Sequence, residues 1–166
     1  AADVRSTEGW ALIITDIYWP TELPLPQFDD NKMSPELTFM RTQLQSGRSR
    51  QRRKYTSVPT SGSVSWVMSR AQALVFEAWF RDVVIDGASW FYMPRKTPLG
   101  MQSQATRFTA MPDPEPFGPN RWKYSSSVET WGRPVDIVPA GWGEFPQFLL
   151  EANIIDVALN REWPEA

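Results

Sequence analysis

Prolines punctuate this chain so closely that long helices and central strands can occupy only parts of it. They stand at 20, 24 and 26, again at 112, 114, 116 and 119, and at 134, 139 and 146. Proline lacks an amide donor and fixes φ, so it interrupts helices and is confined to the edges of sheets. Trp19–Pro26 is therefore expected as extended, polyproline-like backbone that reaches a neighbour or crosses its own surface. Met111–Pro119 is expected as a loop. Regular structure must lie in the stretches between.

Those stretches read mainly as strands. Trp10–Trp19 and Leu37–Gln43 are rich in β-branched and aromatic residues. After the turn signal Ser46-Gly47 comes Arg48–Tyr55, where alternation puts Arg48, Arg50, Arg52 and Lys54 on one face. Ser63–Met68 alternates serines with Val64, Trp66 and Met68, the pattern of a half-buried antiparallel strand. Ser89–Met93, stopped by Pro94, then Thr106–Met111 and Arg121–Trp131 complete the set. In the last of these, Trp122, Tyr124 and Val128 share a face. Thr97-Pro-Leu-Gly100 is a turn. One helix stands out, over 70–86. Ser69 and Gln72 form a capping box, Ala71, Leu74, Val75, Ala78 and Trp79 recur at helical spacing, and Gly87 supplies a left-handed end. A second helix is expected over Pro146–Trp163, with Leu150, Ile154, Val157 and Ala158 on one face; Ile154-Ile155 keeps a strand open there.

Strands with a single helix predict a β-dominated α+β fold, an antiparallel sheet or sandwich with the helix packed on it. The expected organisation is an N-terminal arm over 1–35, a core over 36–134 and a C-terminal arm over 135–166.

Chemistry is constrained by what is missing. The chain has no His and no Cys. That removes the commonest general base near neutral pH, thiol catalysis and the commonest zinc ligands. There is no glycine-rich phosphate loop. Asp29-Asp30 and Asp113/Glu115 are carboxylate pairs, but neither has cation-site spacing, and solvated turn carboxylates are the expectation. No catalytic, metal or cofactor site is predicted. The N-terminus has no signal-peptide layout and the apolar runs are too short to span a bilayer, so a soluble product of the cytoplasm is expected.

Interaction is a different matter. The net charge is −2, yet Arg48–Lys54 is densely basic. Its readings are a salt-bridging face, a contact with nucleic acid, or an edge strand kept soluble by charge. The chain also has 9 Trp. Trp66, Trp79, Trp90 and Trp122 fall on expected core faces. Trp10, Trp19, Trp142 and Trp163 fall in the arms, as partner anchors or as residues folding back on their own domain.

From Arg48 to Pro134 the order of elements resembles the small minor tail and distal tail proteins of tailed bacteriophages, the lambda-type tail-tip protein M among them. The resemblance rests on the Arg-rich strand Ser49-Arg50-Gln51-Arg52-Arg53 leading into the strand Val64-Ser-Trp-Val. The helix Ala73-Leu-Val-Phe-Glu-Ala-Trp-Phe80 follows, then Asp86-Gly-Ala-Ser-Trp-Phe-Tyr-Met-Pro94, and a last strand over Trp122–Glu129. It implies a tail-tube-like β-sandwich with a flanking helix, assembled as a ring, commonly a hexamer. Such a ring links the tail tube to the hub or receptor-binding parts, with DNA passing through its lumen. The implied partners are further copies of the chain, other tail proteins and transient DNA, with no membrane and no small-molecule substrate, and the implied location is the virion tail. The alternatives are a carbohydrate-binding module, with exposed Trp along one face, and a nucleic-acid-binding protein using strand 48–54.

Overall fold

The computed structural model describes residues 14–138 and 140–151. They fall into two compact units dividing between Pro134 and Val135. The first is a β-dominated α+β unit with antiparallel sheets. Its elements run β1 (Lys32–Pro35), β2 (Phe39–Gln43), β3 (Ser49–Arg53), β4 (Thr60–Ser69), α1 (Arg70–Asp82), β5 (Phe91–Thr97), β6 (Gly100–Phe108), β7 (Asp113–Pro116) and β8 (Arg121–Thr130). The larger sheet has the order β1-β4-β8-β6-β5, with β7 paired to β8. β2 and β3 form a separate two-stranded sheet.

β4 and β8 are the spine, paired from Thr60↔Thr130 to Ser69↔Arg121. Their alternation decides which face is inside. Val64, Trp66 and Met68 of β4 and Tyr124 and Val128 of β8 are buried in one apolar cluster with Phe91, Met93 and Phe108. Trp122, expected on that face, lies near the strand's end and is 38% exposed, although it pairs with the buried Met68.

Helix α1 covers this face. Its capping box is formed: the Ser69 hydroxyl accepts from the Gln72 amide at 3.3 Å, and Gln72 Oε1 accepts from the Ser69 amide at 3.0 Å. The buried stripe is Ala73, Phe76, Trp79 and Phe80; of the expected Ala71, Leu74, Val75, Ala78 and Trp79, only Trp79 is in it. The helix is apolar on two sides, and the side with the aromatic rings removes more surface from water. Leu74 is left 74% exposed and Val75 42%. The helix also stops at Asp82, four residues short of expectation. Val84 is fully buried, and seating it there bends the chain through left-handed Ile85 and Asp86. Gly87 then passes so close that a Cβ would lie 3.2 Å from Phe108 and 3.3 Å from Phe80.

Two proline-rich regions are more regular than expected. Pro94 lies inside β5 rather than stopping it. Tyr92, two residues earlier, directs its amide and carbonyl away from β6, to Ile17 and Trp19, each at 2.8 Å. Pro94 has the same orientation, so its missing donor falls on the outer side of an edge strand. Within Met111–Pro119, Asp113–Pro116 is strand β7, not loop. Pro114 and Pro116 alternate, leaving Asp113 and Glu115 as the residues able to donate to β8.

The sheet curls until its outer strands meet through side chains. Asn31, just before β1, donates from Nδ2 to the Lys96 carbonyl of β5 at 2.8 Å. The Arg95 guanidinium spans the same gap. It donates to Asn31 Oδ1 at 2.8 and 3.2 Å, to the Lys32 carbonyl at 3.2 Å and to Thr130 Oγ1 at 3.0 Å. Gly62 lets β1 approach, since a Cβ there would collide with the Lys32 carbonyl. The interior therefore has an apolar end under α1 and a polar end of Thr60, Arg95, Gln104, Thr106 and Thr130.

A short 3-10 turn over Pro134–Ile137 starts at the last residue of the first unit; the second unit holds another over Trp142–Glu144, with residues 146–151 helical. Trp142 packs edge-on to Phe148 at 5.2 Å. Leu150, expected on the apolar stripe, is exposed; the rest of that predicted helix lies outside the described residues. Among the described residues no helix is long and apolar enough to cross a membrane.

Candidate interaction site

Between β1 and β4 the chain leaves the large sheet and returns, and the excursion is the β2–β3 hairpin. It forms because Phe39–Gln43 and Ser49–Arg53 have complementary pairing, from Phe39↔Arg53 to Gln43↔Ser49. Gly47 takes a left-handed φ of +82° at the turn. At the base, Lys54 and Tyr55 both donate to the Thr38 carbonyl, at 2.7 and 2.9 Å. Two residues opposite one make a β-bulge. No residue from 36 to 57 is buried, so the hairpin contributes nothing to the apolar core.

Its charge is one-sided in sign. Arg41, Arg48, Arg50, Arg52, Arg53 and Lys54 make six of the chain's 17 basic residues, and no Asp or Glu occurs between Glu36 and Glu77. Ion pairs among the described residues lie elsewhere, as at Arg81–Asp82, Arg107–Glu129 and Lys123–Asp30. The hairpin's own hydrogen bonds reach only neutral groups: Arg41 Nε donates to Ser49 Oγ at 2.8 Å and Arg53 Nε to the Tyr55 carbonyl at 3.3 Å. Lys54 Nζ lies 5.1 Å from the Tyr55 ring centre.

The expected face of four cations is only half formed. Arg50 and Arg52 lie within β3 and pair with Thr42 and Met40. Arg48 precedes the strand, in the turn, and Lys54 falls at the bulge, where alternation is broken. Arg41 and Arg53 lie on the opposite face and were not among the residues the sequence nominates. The signal that finds them is the hairpin pairing across Ser46-Gly47, together with the acid-free run, rather than the alternation of one strand.

The tryptophans nominated in the arms separate. Trp19 is not an available anchor: it is 6% exposed and stacked on Trp66 at 5.1 Å, with Trp79 edge-on at 5.3 Å. Its amide donates to the Tyr92 carbonyl at 2.8 Å and its Nε1 to the Pro24 carbonyl at 3.2 Å, so the segment folds onto its own sheet. Leu23 and Pro26 follow it into burial. Trp142 is 39% exposed. Trp10 and Trp163 lie outside the described residues. Of the core nominees, Trp66 and Trp79 are buried, while Trp90 is half-buried, edge-on to Trp131 at 5.2 Å and under the Arg107 guanidinium at 4.6 Å.

Of the carboxylate pairs, Asp30 is held by other contacts. Asp30 accepts from Ser65 Oγ at 2.7 Å and pairs with Lys123 at 2.8 Å. Lys123, then Ser65, hold its carboxyl below the usual range. Asp113 and Glu115 are exposed on β7. Among the described residues no group of three or more possible ligands is placed to hold a metal ion. Two ionisable groups in the first unit are strongly perturbed. Burial holds Arg95 down at about 10. Burial, then the hydrogen bond to Glu77 at 3.0 Å, pushes the Tyr124 hydroxyl up to about 12. Arg95 acts inside the fold, whereas Tyr124 and Glu77 line an open surface pocket beside α1 with Arg70, Ala71, Ala73 and Leu74. No family model, curated protein or solved structure matches the chain.

Proposed function

We propose that this chain is a structural subunit of a bacteriophage tail. Copies of it form a ring that joins the tail tube to the hub or receptor-binding parts, with DNA passing through the lumen. The curled antiparallel sheet with its flanking helix corresponds, in this reading, to the tail-tube-like sandwich that the order of elements from Arg48 to Pro134 implies.

The observation that carries the proposal is the division of labour between sheet and hairpin. Residues 37–57 bury nothing, yet hold six cations and no carboxylate. An isolated two-stranded hairpin is marginal in water, so this segment adds little to stability and acquires its purpose from what it touches. The exposed apolar side of α1, with Leu74 and Val75, is a second surface of the kind a ring subunit covers. A carbohydrate-binding module is less well supported. Its exposed tryptophans would line one face, whereas Trp122 and Trp131 stand at opposite ends of β8.

Light scattering tests the reading. The purified chain forms a discrete ring, or is a monomer that converts to one when tail proteins from the same source are added. A monomer indifferent to those partners at every concentration would overturn it.

A further inference from the structure

The hairpin's cations are arranged for a particular kind of partner. Arg50 and Arg52 project from one face, about 7 Å apart at strand spacing. Arg41 and Arg53 project from the other face, and Arg48 stands at the turn. A flat acidic protein surface would engage one face and leave the other's charges in water. A groove with anionic walls on both sides engages all of them. The backbone of a two-stranded ribbon is about 5 Å across, and the major groove of B-form DNA, about 12 Å wide, admits such a ribbon with its side chains. The cations are mostly arginine, whose planar fork matches phosphate oxygens in pairs. Met40, Thr42 and Leu44 sit among the arginines of β3 as neutral or apolar contacts, suited to base edges rather than to carboxylates.

We propose that the β2–β3 hairpin binds double-stranded DNA by entering its major groove, with Arg41, Arg48, Arg50, Arg52 and Arg53 on the flanking phosphates. This rests on the hairpin alone and not on the ring reading. Isolated chain that binds DNA without forming a ring, or forms a ring without binding DNA, separates the two.

The test is fluorescence anisotropy of the full chain with a labelled 20-base-pair DNA duplex across a salt series. Four to six phosphate contacts give a log–log salt slope of about −4 to −5. Changing Arg50→Gln and Arg52→Gln together makes the slope shallower by about 2 and weakens binding at least about tenfold at low salt. It leaves the melting temperature unchanged, since neither side chain is buried. An RNA duplex of the same sequence binds more weakly, because its major groove is too narrow for a ribbon. The proposal is overturned if the double variant binds as well as the parent or if the RNA duplex binds equally. It is also overturned if polyglutamate of matched charge competes as strongly as DNA, which would make an acidic protein surface the partner.

Discussion

Arg95 and the arginines of the β2–β3 hairpin carry the same side chain in opposite settings. Arg95 is 1% exposed and surrounded by neutral acceptors from Asn31, Lys32 and Thr130. Burying a guanidinium without a carboxylate is costly, and the cost shows in its lowered pKa. The cation persists because its fork reaches across the gap between β1 and β5, which an apolar side chain could not bridge. The hairpin arginines are the reverse. They are exposed, their side-chain hydrogen bonds among the described residues stay within the hairpin and reach only neutral groups, and they leave their charge outward. Where a cation's hydrogen bonds are all made internally it fixes the fold; where none is paired with a carboxylate it is available to a partner.

Substitutions can break this contrast. The largest loss is expected in the apolar end of the sheet. Phe76→Ala removes a ring packed against Trp66 and Tyr124 and costs about 3–5 kcal/mol in denaturant unfolding. Arg95→Met costs about 2–4 kcal/mol, because the Asn31 and Thr130 oxygens lose their donor inside the fold; a midpoint unchanged from the parent would show that the outer strands close without it. Both exceed the effect of Arg50→Gln with Arg52→Gln, which stays within about 0.5 kcal/mol.

A pH series sharpens the same contrast. Tyr124 titrates near 12 in the folded chain and near 10 unfolded. The unfolded state therefore loses its proton first, and the stability Tyr124 contributes is full below pH 10 and falls as pH rises toward 12. Arg95 runs the other way, its burial penalty easing as pH rises through about 10. Tyr124→Phe consequently melts with a shallower alkaline decline than the parent, read by thermal unfolding between pH 9 and 11.

Much of this fold was legible where alternation and local chemistry act within a few residues. The Val64, Trp66 and Met68 face, the Ser69–Gln72 capping box and the Thr97–Gly100 turn follow from such patterns. What escaped depended on competition between distant parts. Either side of α1 satisfies a helical period; only the sheet beneath it selects Phe76 and Phe80 over Leu74 and Val75. Pro94 reads as a stop until Ile17 and Trp19 occupy the outer side of β5. Trp19 reads as an arm anchor until Trp66 and Trp79 are placed beneath it. In the hairpin, the charge of β3 was legible from its own residues, but the second cationic face needed Arg41 and the register across the turn. The bulge that displaces Lys54 depends on a single carbonyl, that of Thr38, shared by two amides.

The central claim is that the hairpin is the part of the molecule that engages, while the curled sheet carries the fold. Amide hydrogen exchange of the isolated chain and of the chain in its assembled or DNA-bound state tests it most directly. The account predicts fast exchange over 39–53 in the isolated chain, strong protection there on engagement, and protection of β4 and β8 in both states. Slow exchange of the hairpin in the isolated monomer, or exchange over 39–53 that engagement leaves unchanged, would contradict it.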